Sequence, residues 1–215
     1  MIPKNLDWAF EAGHRVVTPG GSGKTENRRL ANLVLPTGKI AIGSPVNDMI
    51  NHPNRVQPQV APGTFPVSIS FIHRKDPTGA AGFLGTFAFL AVRFSQAQTT
   101  SWETVGQFFT DAGDGCIFDA SAVELLKEKR MALEREEWAN LKAGALNNGD
   151  GNLVLNEKNG ANAIVFKTAD AVYHCFLGRD DRGNITCLVI DGRIETANAG
   201  PVQAFLKLFQ KGGRE

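Results

Sequence analysis

Apolar and polar positions along this chain repeat with a period of two far more often than with a period of three to four. That alternation, with β-branched enrichment, predicts strands over residues 39–42, 65–73, 82–94, 152–155, 163–167, 171–177 and 185–190. Between the last two lies GRDDRG (178–183), and a short loop of glycine and aspartate between apolar runs predicts a β-hairpin. Helical spacing is rarer. Ser121 and Glu124 form an S-x-x-E capping box, and strong helix formers run from there to Gly144, so one long helix is expected. Its middle is charged around most of its circumference, which leaves Ala122, Leu125, Leu126, Leu133, Trp138 and Leu141 to make the packed contacts. Thr100 and Glu103 form a second capping box and predict a shorter helix through Trp102 and Val105 toward Phe108. After Pro201, Val202, Phe205, Leu206 and Phe209 fall at i, i+3, i+4 and i+7. Residues 200–215 are therefore expected to form an amphipathic helix that docks its stripe on the sheet or on a second subunit, the latter giving a homodimer.

The strands do not alternate regularly with helices, which disfavours a parallel βαβ sheet. The expected class is α+β: a mainly antiparallel sheet, sandwich-like or strongly curved, with one long helix and a C-terminal helix. A chain of 215 residues suits a single domain. Residues 1–29 are expected to be an N-terminal extension carrying a flexible glycine-rich loop. Residues 47–62 and 74–81 are expected as loops.

Composition narrows the function classes. Hydrophobic residues make up 42% and charged residues 21%, near the globular average. Lys plus Arg (23) nearly cancels Asp plus Glu (22), so the net charge of +1 gives no global field to attract nucleic acid or an anionic membrane. No apolar run reaches membrane-spanning length, and MIPKNLDWAF lacks the basic and apolar regions of a secretory signal, so a cytoplasmic location is expected. Cys116, Cys175 and Cys187 lack paired metal spacing and read as small core residues in a reducing compartment, with a bridge between Cys175 and Cys187 as the alternative.

One stretch resembles a phosphate-binding loop: TPGGSGKTE (18–26). The device requires G-x-x-x-x-G-K-[ST], so that successive N–H groups converge on the phosphates. Five residues before Gly23 stands Thr18, not glycine, and Pro19 removes a donor. The following segment is cut off by Pro36 before a helix of useful length can form. The nucleotide reading of residues 20–25 is set aside for a glycine loop with Lys24 in solvent.

Four segments, in order, carry a resemblance. LANLVLPTGKIAIGSPV from Leu30, VAPGTFPVSIS (60–70), DAGDGCIFDA (111–120) and ADAVYHCFLGRDDRGNITCLVID (169–191) resemble the "L-x-L-P-S-G-x-I-x-A-x-D-P", "PPG-x-YPV", "VDAG-x-G-x-F-x-D" and "GDG-x-Y" plus "G-x-D-x-x-G-x-x-x-x-LV-x-D" segments of an uncharacterised bacterial family, domain of unknown function 4241. The resemblance covers roughly residues 30–191. It implies a bacterial or phage source and supports the fold expectation, but it brings no reaction with it. The chain departs from the pattern at Ser44, Ala169, Ala171 and Gly192.

Candidate chemistry is confined to two segments. Asp111, Asp114 and Asp119 lie within nine residues on a glycine-bent stretch and could ligate Mg²⁺ or Ca²⁺ through oxygen. The alternative is that Asp119 caps the long helix while the residues from Asp111 to Gly115 form a turn whose aspartates bond their own backbone. Asp170, Tyr173 and His174 open a predicted strand, and alternation puts Tyr173 and His174 on opposite faces. NNGDGN (147–152) lacks the EF-hand register, and His14, His52 and His73 have no ligand spacing. These patterns assign no metal site and no cofactor. The function expected is that of a non-catalytic binding protein that neutralises or scaffolds another protein. Its rival is a metal-assisted hydrolase or transferase using Asp111, Asp114, Asp119, Asp170, Tyr173 and His174.

Overall fold

A computed structural model describes residues 5–18, 21–45, 54–55, 59–74, 84–110, 113–145, 149–169 and 171–194. In chain order the strands are β1 Arg15–Thr18, β2 Gly21–Arg29, β3 Leu33–Leu35, β4 Ile40–Gly43, β5 Asn54–Arg55, β6 Gly63–Phe65 and β7 Val67–Arg74. Next come β8 Leu84–Arg93, β9 Ser101–Thr110 and β10 Asp114–Asp119, then the helices α1 Val123–Ala132 and α2 Arg135–Gly144. The last four strands are β11 Asn152–Val154, β12 Asn162–Lys167, β13 Ala171–Arg179 and β14 Ile185–Asp191.

The described pairings are all antiparallel. They build a seven-stranded sheet in the order β1-β2-β7-β8-β14-β13-β9, a five-stranded sheet in the order β11-β12-β10-β4-β5, and the pair β3-β6. Inward-facing residues of the two large sheets share one apolar core. Ile69, Leu90, Tyr173, Leu188 and Ile190 come from the larger sheet, and Ile40, Ile42, Ile117, Ile164 and Phe166 from the smaller. The alternation read in the sequence is what lets both sheets bury one face against the other.

Each sheet also has a covered outer face. On the five-stranded sheet, Ala41, Cys116, Phe118, Ala163 and Val165 pack against Ala122, Leu126 and Trp138 of the helical segment. Leu125, Leu133 and Leu141 lie partly buried in the same layer, so the six contacts expected from the sequence all fall there. On the seven-stranded sheet, Ile72, Phe89, Phe176, Cys187 and Val189 pack against Ala9 of a short 3-10 turn, Asp7–Phe10, and against Leu6, which precedes it. Among the described residues no helix is long and apolar enough to cross a membrane.

Several expectations are corrected. The long helix is two helices. Leu133 is extended at φ −83° and ψ 133°, and Glu134 opens α2 with its own capping box, its N–H donating to Glu137 at 3.0 Å. That local exchange of hydrogen bonds breaks the helix without glycine or proline. The helix expected after Thr100 is strand β9, paired with β13 along its whole length, so cross-strand bonding overrides the local cap. The glycine-rich stretch of the N-terminal region is not a flexible loop: β1 and β2 pair from Arg15 with Lys24 to Thr18 with Gly21, and β2 continues on to β7. The amides of residues 21–24 thus lie in a ladder, not in a phosphate cradle, while Lys24 is exposed. The hairpin around residues 178–183 is present between β13 and β14. The expected C-terminal helix lies outside the described residues.

Candidate functional site

Strand β10 carries two of the suspected aspartates. It lies inside the five-stranded sheet between β12 and β4, and all six of its residues are buried. Alternation sends Asp114, Cys116 and Phe118 toward the helices and Gly115, Ile117 and Asp119 to the other side. Gly115 is fixed by packing, because a Cβ there would lie 2.7 Å from the Phe166 ring.

Asp114 does not form a turn with its own backbone. One carboxylate oxygen accepts Trp138 Nε1 at 2.8 Å, and the other pairs with Lys142 Nζ. Trp138 and Lys142 stand four residues apart on α2, so both meet Asp114 from one helix face. The Arg130 guanidinium of α1 sits 4.6 Å from the centre of the Trp138 ring. The arrangement pins the helices to the sheet and uses both oxygens of the carboxylate.

Asp119, at the far end of β10, is also buried and saturated. It accepts Thr37 N at 2.8 Å, Thr37 Oγ1 at 2.7 Å, Ser121 N at 2.9 Å and Ser121 Oγ at 2.7 Å. Burial pushes its acidity toward the neutral form, but the bonds from Ser121 and Thr37 outweigh it and hold the carboxyl below its ordinary value. Asp119 thus caps the 3-10 turn Ala120–Ala122 that leads into α1, not α1 itself, whose own N-cap Ala122 makes no side-chain bond, and it adds a tie to Thr37. Next to Thr37, Gly38 has φ +71°, and a Cβ there would meet Val60 O at 1.9 Å. Three of the four resemblance segments thus converge on one backbone crossing.

Tyr173 points into the core between the sheets, its ring 5.3 Å from Phe108 and 5.7 Å from Phe87. Its hydroxyl donates to Ala169 O at 2.8 Å and accepts Ala169 N at 2.9 Å, while Thr110 Oγ1 donates to the same carbonyl at 2.6 Å. Burial raises the phenol above its ordinary range. His174 faces the opposite side, half-buried, with its ring 6.3 Å from that of Phe176.

The suspected residues therefore do not assemble among those described. Asp114 and Asp119 point to opposite faces and stand about 16 Å apart along the strand, at roughly 3.3 Å per residue. Tyr173 and His174 are divided by the sheet, and Asp111 and Asp170 lie outside the described residues. No group of three or more His, Cys, Asp or Glu side chains among the described residues could hold a metal ion. His14 bonds Glu11 at 2.8 Å on the surface. Cys175 faces the inter-sheet core and Cys187 the outer face, so no bridge forms, and the three thiols are free and buried.

Sequence reasoning missed Trp138, Lys142 and Thr37 as partners of these aspartates. Nothing local signals a contact across 24 to 82 residues. It also missed the reason for Gly192, where the pattern expects an aromatic. A Cβ there would lie 2.5 Å from Ala88 O, so the backbone passes too close for any side chain.

Neither a curated protein nor a solved structure matches the chain. The family described as "Protein of unknown function (DUF4241)" matches residues 33–190, from the start of β3 into β14. The four segments and this match cover largely the same antiparallel sheets, and the chain belongs to the DUF4241 family.

Proposed function

We propose that the protein is a non-catalytic bacterial binding protein, which neutralises or scaffolds a protein partner in the cytoplasm. The observation that carries this reading is the employment of the acidic groups. Asp114 and Asp119 spend their oxygens on Trp138, Lys142, Thr37 and Ser121, and so hold helices and backbone in place. A carboxylate whose acceptor sites are filled within the fold is poorly placed to bind a cation or move a proton. Three free, buried thiols accord with a reducing compartment.

The test is affinity isolation of the tagged full chain from its source organism, followed by reconstitution of any retained protein from purified components. A one-to-one complex that survives gel filtration supports the reading. The rival predicts a different result: a saturable rise in Tm with Mg²⁺, Mn²⁺ or Zn²⁺, abolished in Asp119→Asn, because a ligand of the folded state stabilises it. That outcome, with hydrolysis of a model ester or phosphoester, would replace the binding reading.

A further inference from the structure

The loop between β11 and β12 holds an asparagine followed by a glycine, Asn159–Gly160, and both residues are exposed. Ala161 O closes the loop at its base, accepting Leu155 N at 2.8 Å and Asn156 N at 3.0 Å. Just before Ala161 the backbone turns through Gly160 at φ +72°, in the left-handed region that favours glycine.

The surroundings of Asn159 set it apart from the other asparagines. Its Oδ1 accepts Ala161 N at 3.0 Å, so the side chain folds back over the Gly160 peptide and its carbonyl is polarised. Among the described residues its Nδ2 has no partner, whereas the carboxamide nitrogens of Asn27, Asn162 and Asn184 all donate. The Gly160 amide likewise makes no hydrogen bond among the described residues, and no side chain of its own shields it. A free nucleophile, a polarised carbonyl and an unheld leaving group therefore stand within one peptide unit.

We propose that Asn159 is a self-modification site, at which Gly160 N attacks Asn159 Cγ and closes a succinimide ring. The N–Cγ bond forms, the Cγ–Nδ2 bond breaks, and the Gly160 amide proton reaches the departing nitrogen through water, so that ammonia leaves. During the attack negative charge gathers on Oδ1, where the Ala161 N–H is already in place to receive it. Water then opens the ring at either carbonyl. Opening at Cγ leaves aspartate. Opening at the main-chain carbonyl leaves isoaspartate, with an extra methylene in the backbone beside the short edge strand β11. No oxidant, metal or enzyme enters the balance, and the step is independent of what the protein binds.

The chain carries its own control. Gly149 also follows an asparagine, Asn148, but its amide donates to Gly144 O at 2.6 Å. That bond must break before the Gly149 nitrogen can attack. The folded full chain, aged at neutral pH and mapped by tandem mass spectrometry, should gain about 1 Da at Asn159, split between aspartate and isoaspartate. Conversion there should run about tenfold faster than at Asn148. In urea, where both amides are free, the two rates should draw level. Equal or faster conversion at Asn148 in the folded chain, a ratio that persists in urea, or no gain at Asn159 overturns the inference.

Discussion

The two sheets close their outer faces by different means. Over the five-stranded sheet, the helical layer is fixed by buried carboxylates at both ends of β10: Asp119 at the entry to α1 and Asp114 against α2. Over the seven-stranded sheet, the N-terminal turn is held by rings and neutral hydrogen bonds. Trp8 meets Phe89 edge-on at 4.7 Å, Arg93 lies 3.9 Å from the Phe10 ring centre, and Asn27 and Ser70 both donate to Ala9 O. Buried charge fixes position sharply but is costly to disturb, whereas apolar and cation–π contacts lose energy gradually. The helical layer should therefore behave as an integral part of the fold, and the N-terminal cover as a separable one.

The largest expected effect is at Asp114. Asp114→Ala strips the acceptor from the buried Trp138 Nε1 and removes the carboxylate facing Lys142, which should cost about 3 kcal/mol in urea denaturation. Equality with the Arg93 variant below would break the comparison. Asp119→Ala should cost about 2 kcal/mol, because the amides of Thr37 and Ser121 lose their acceptor.

Acid should separate the two faces by sign. The carboxyl of Asp119 is held below 3.8 in the folded state, so its stabilisation is complete above that value and is lost as pH falls through the lower folded one. Asp7, in the N-terminal cover, is shifted the other way, mainly by burial, with Glu11 adding and Arg93 and Thr99 opposing. Its contribution is present below 3.8 and is lost as pH rises through the raised folded value. Thermal melts from about pH 6 to about pH 2 should show Asp119→Asn losing less stability on acidification than the parent, and Asp7→Asn raising the midpoint at neutral pH. A change of the same sign in both variants would contradict the assignment.

The same division governs what could be seen in the sequence. Strands covered on both faces, such as 163–167 and 185–190, are legible as short apolar runs rich in β-branched residues, and the hairpin by its turn residues. Strand β2 is not, since GSGKTENRR offers no apolar alternation and is held by its partners β1 and β7. In β9 the Thr100 and Glu103 pattern satisfied a helical rule, yet Trp102, Phe108 and a full-length partner in β13 decided the outcome. The break between α1 and α2 rests on a glutamate as N-cap, a residue outside the usual capping set. At the candidate site the aspartates themselves were legible, but their roles were not. A carboxylate reads the same in sequence whether it awaits a cation or already holds a tryptophan and a lysine from a helix 24 to 28 residues away.

On the N-terminal cover, Arg93→Met keeps the aliphatic stem and removes the guanidinium over Phe10. It should cost about 1 kcal/mol or less and should expose residues 6–10 to proteolysis before the sandwich itself unfolds. Cleavage appearing only together with global unfolding would show that this cover is as integral as the helices.

The smallest effect is expected where charge is present but not buried. Arg179 of β13 donates from Nε at 2.9 Å and Nη2 at 2.6 Å to one oxygen of Glu103 on β9, and from Nη1 to Gly183 O at 2.8 Å. Glu103 remains 42% exposed, so water screens the pair and competes for both partners. Arg179→Lys keeps the charge and loses the planar fork, which should change stability by about 0.5 kcal/mol and no more. Burial, not charge alone, then accounts for the contrast with Asp114. A loss near that of Asp114→Ala would instead mean that the β9 and β13 edge is held by its ion pair, and that the seven-stranded sheet depends on charge as much as its partner does.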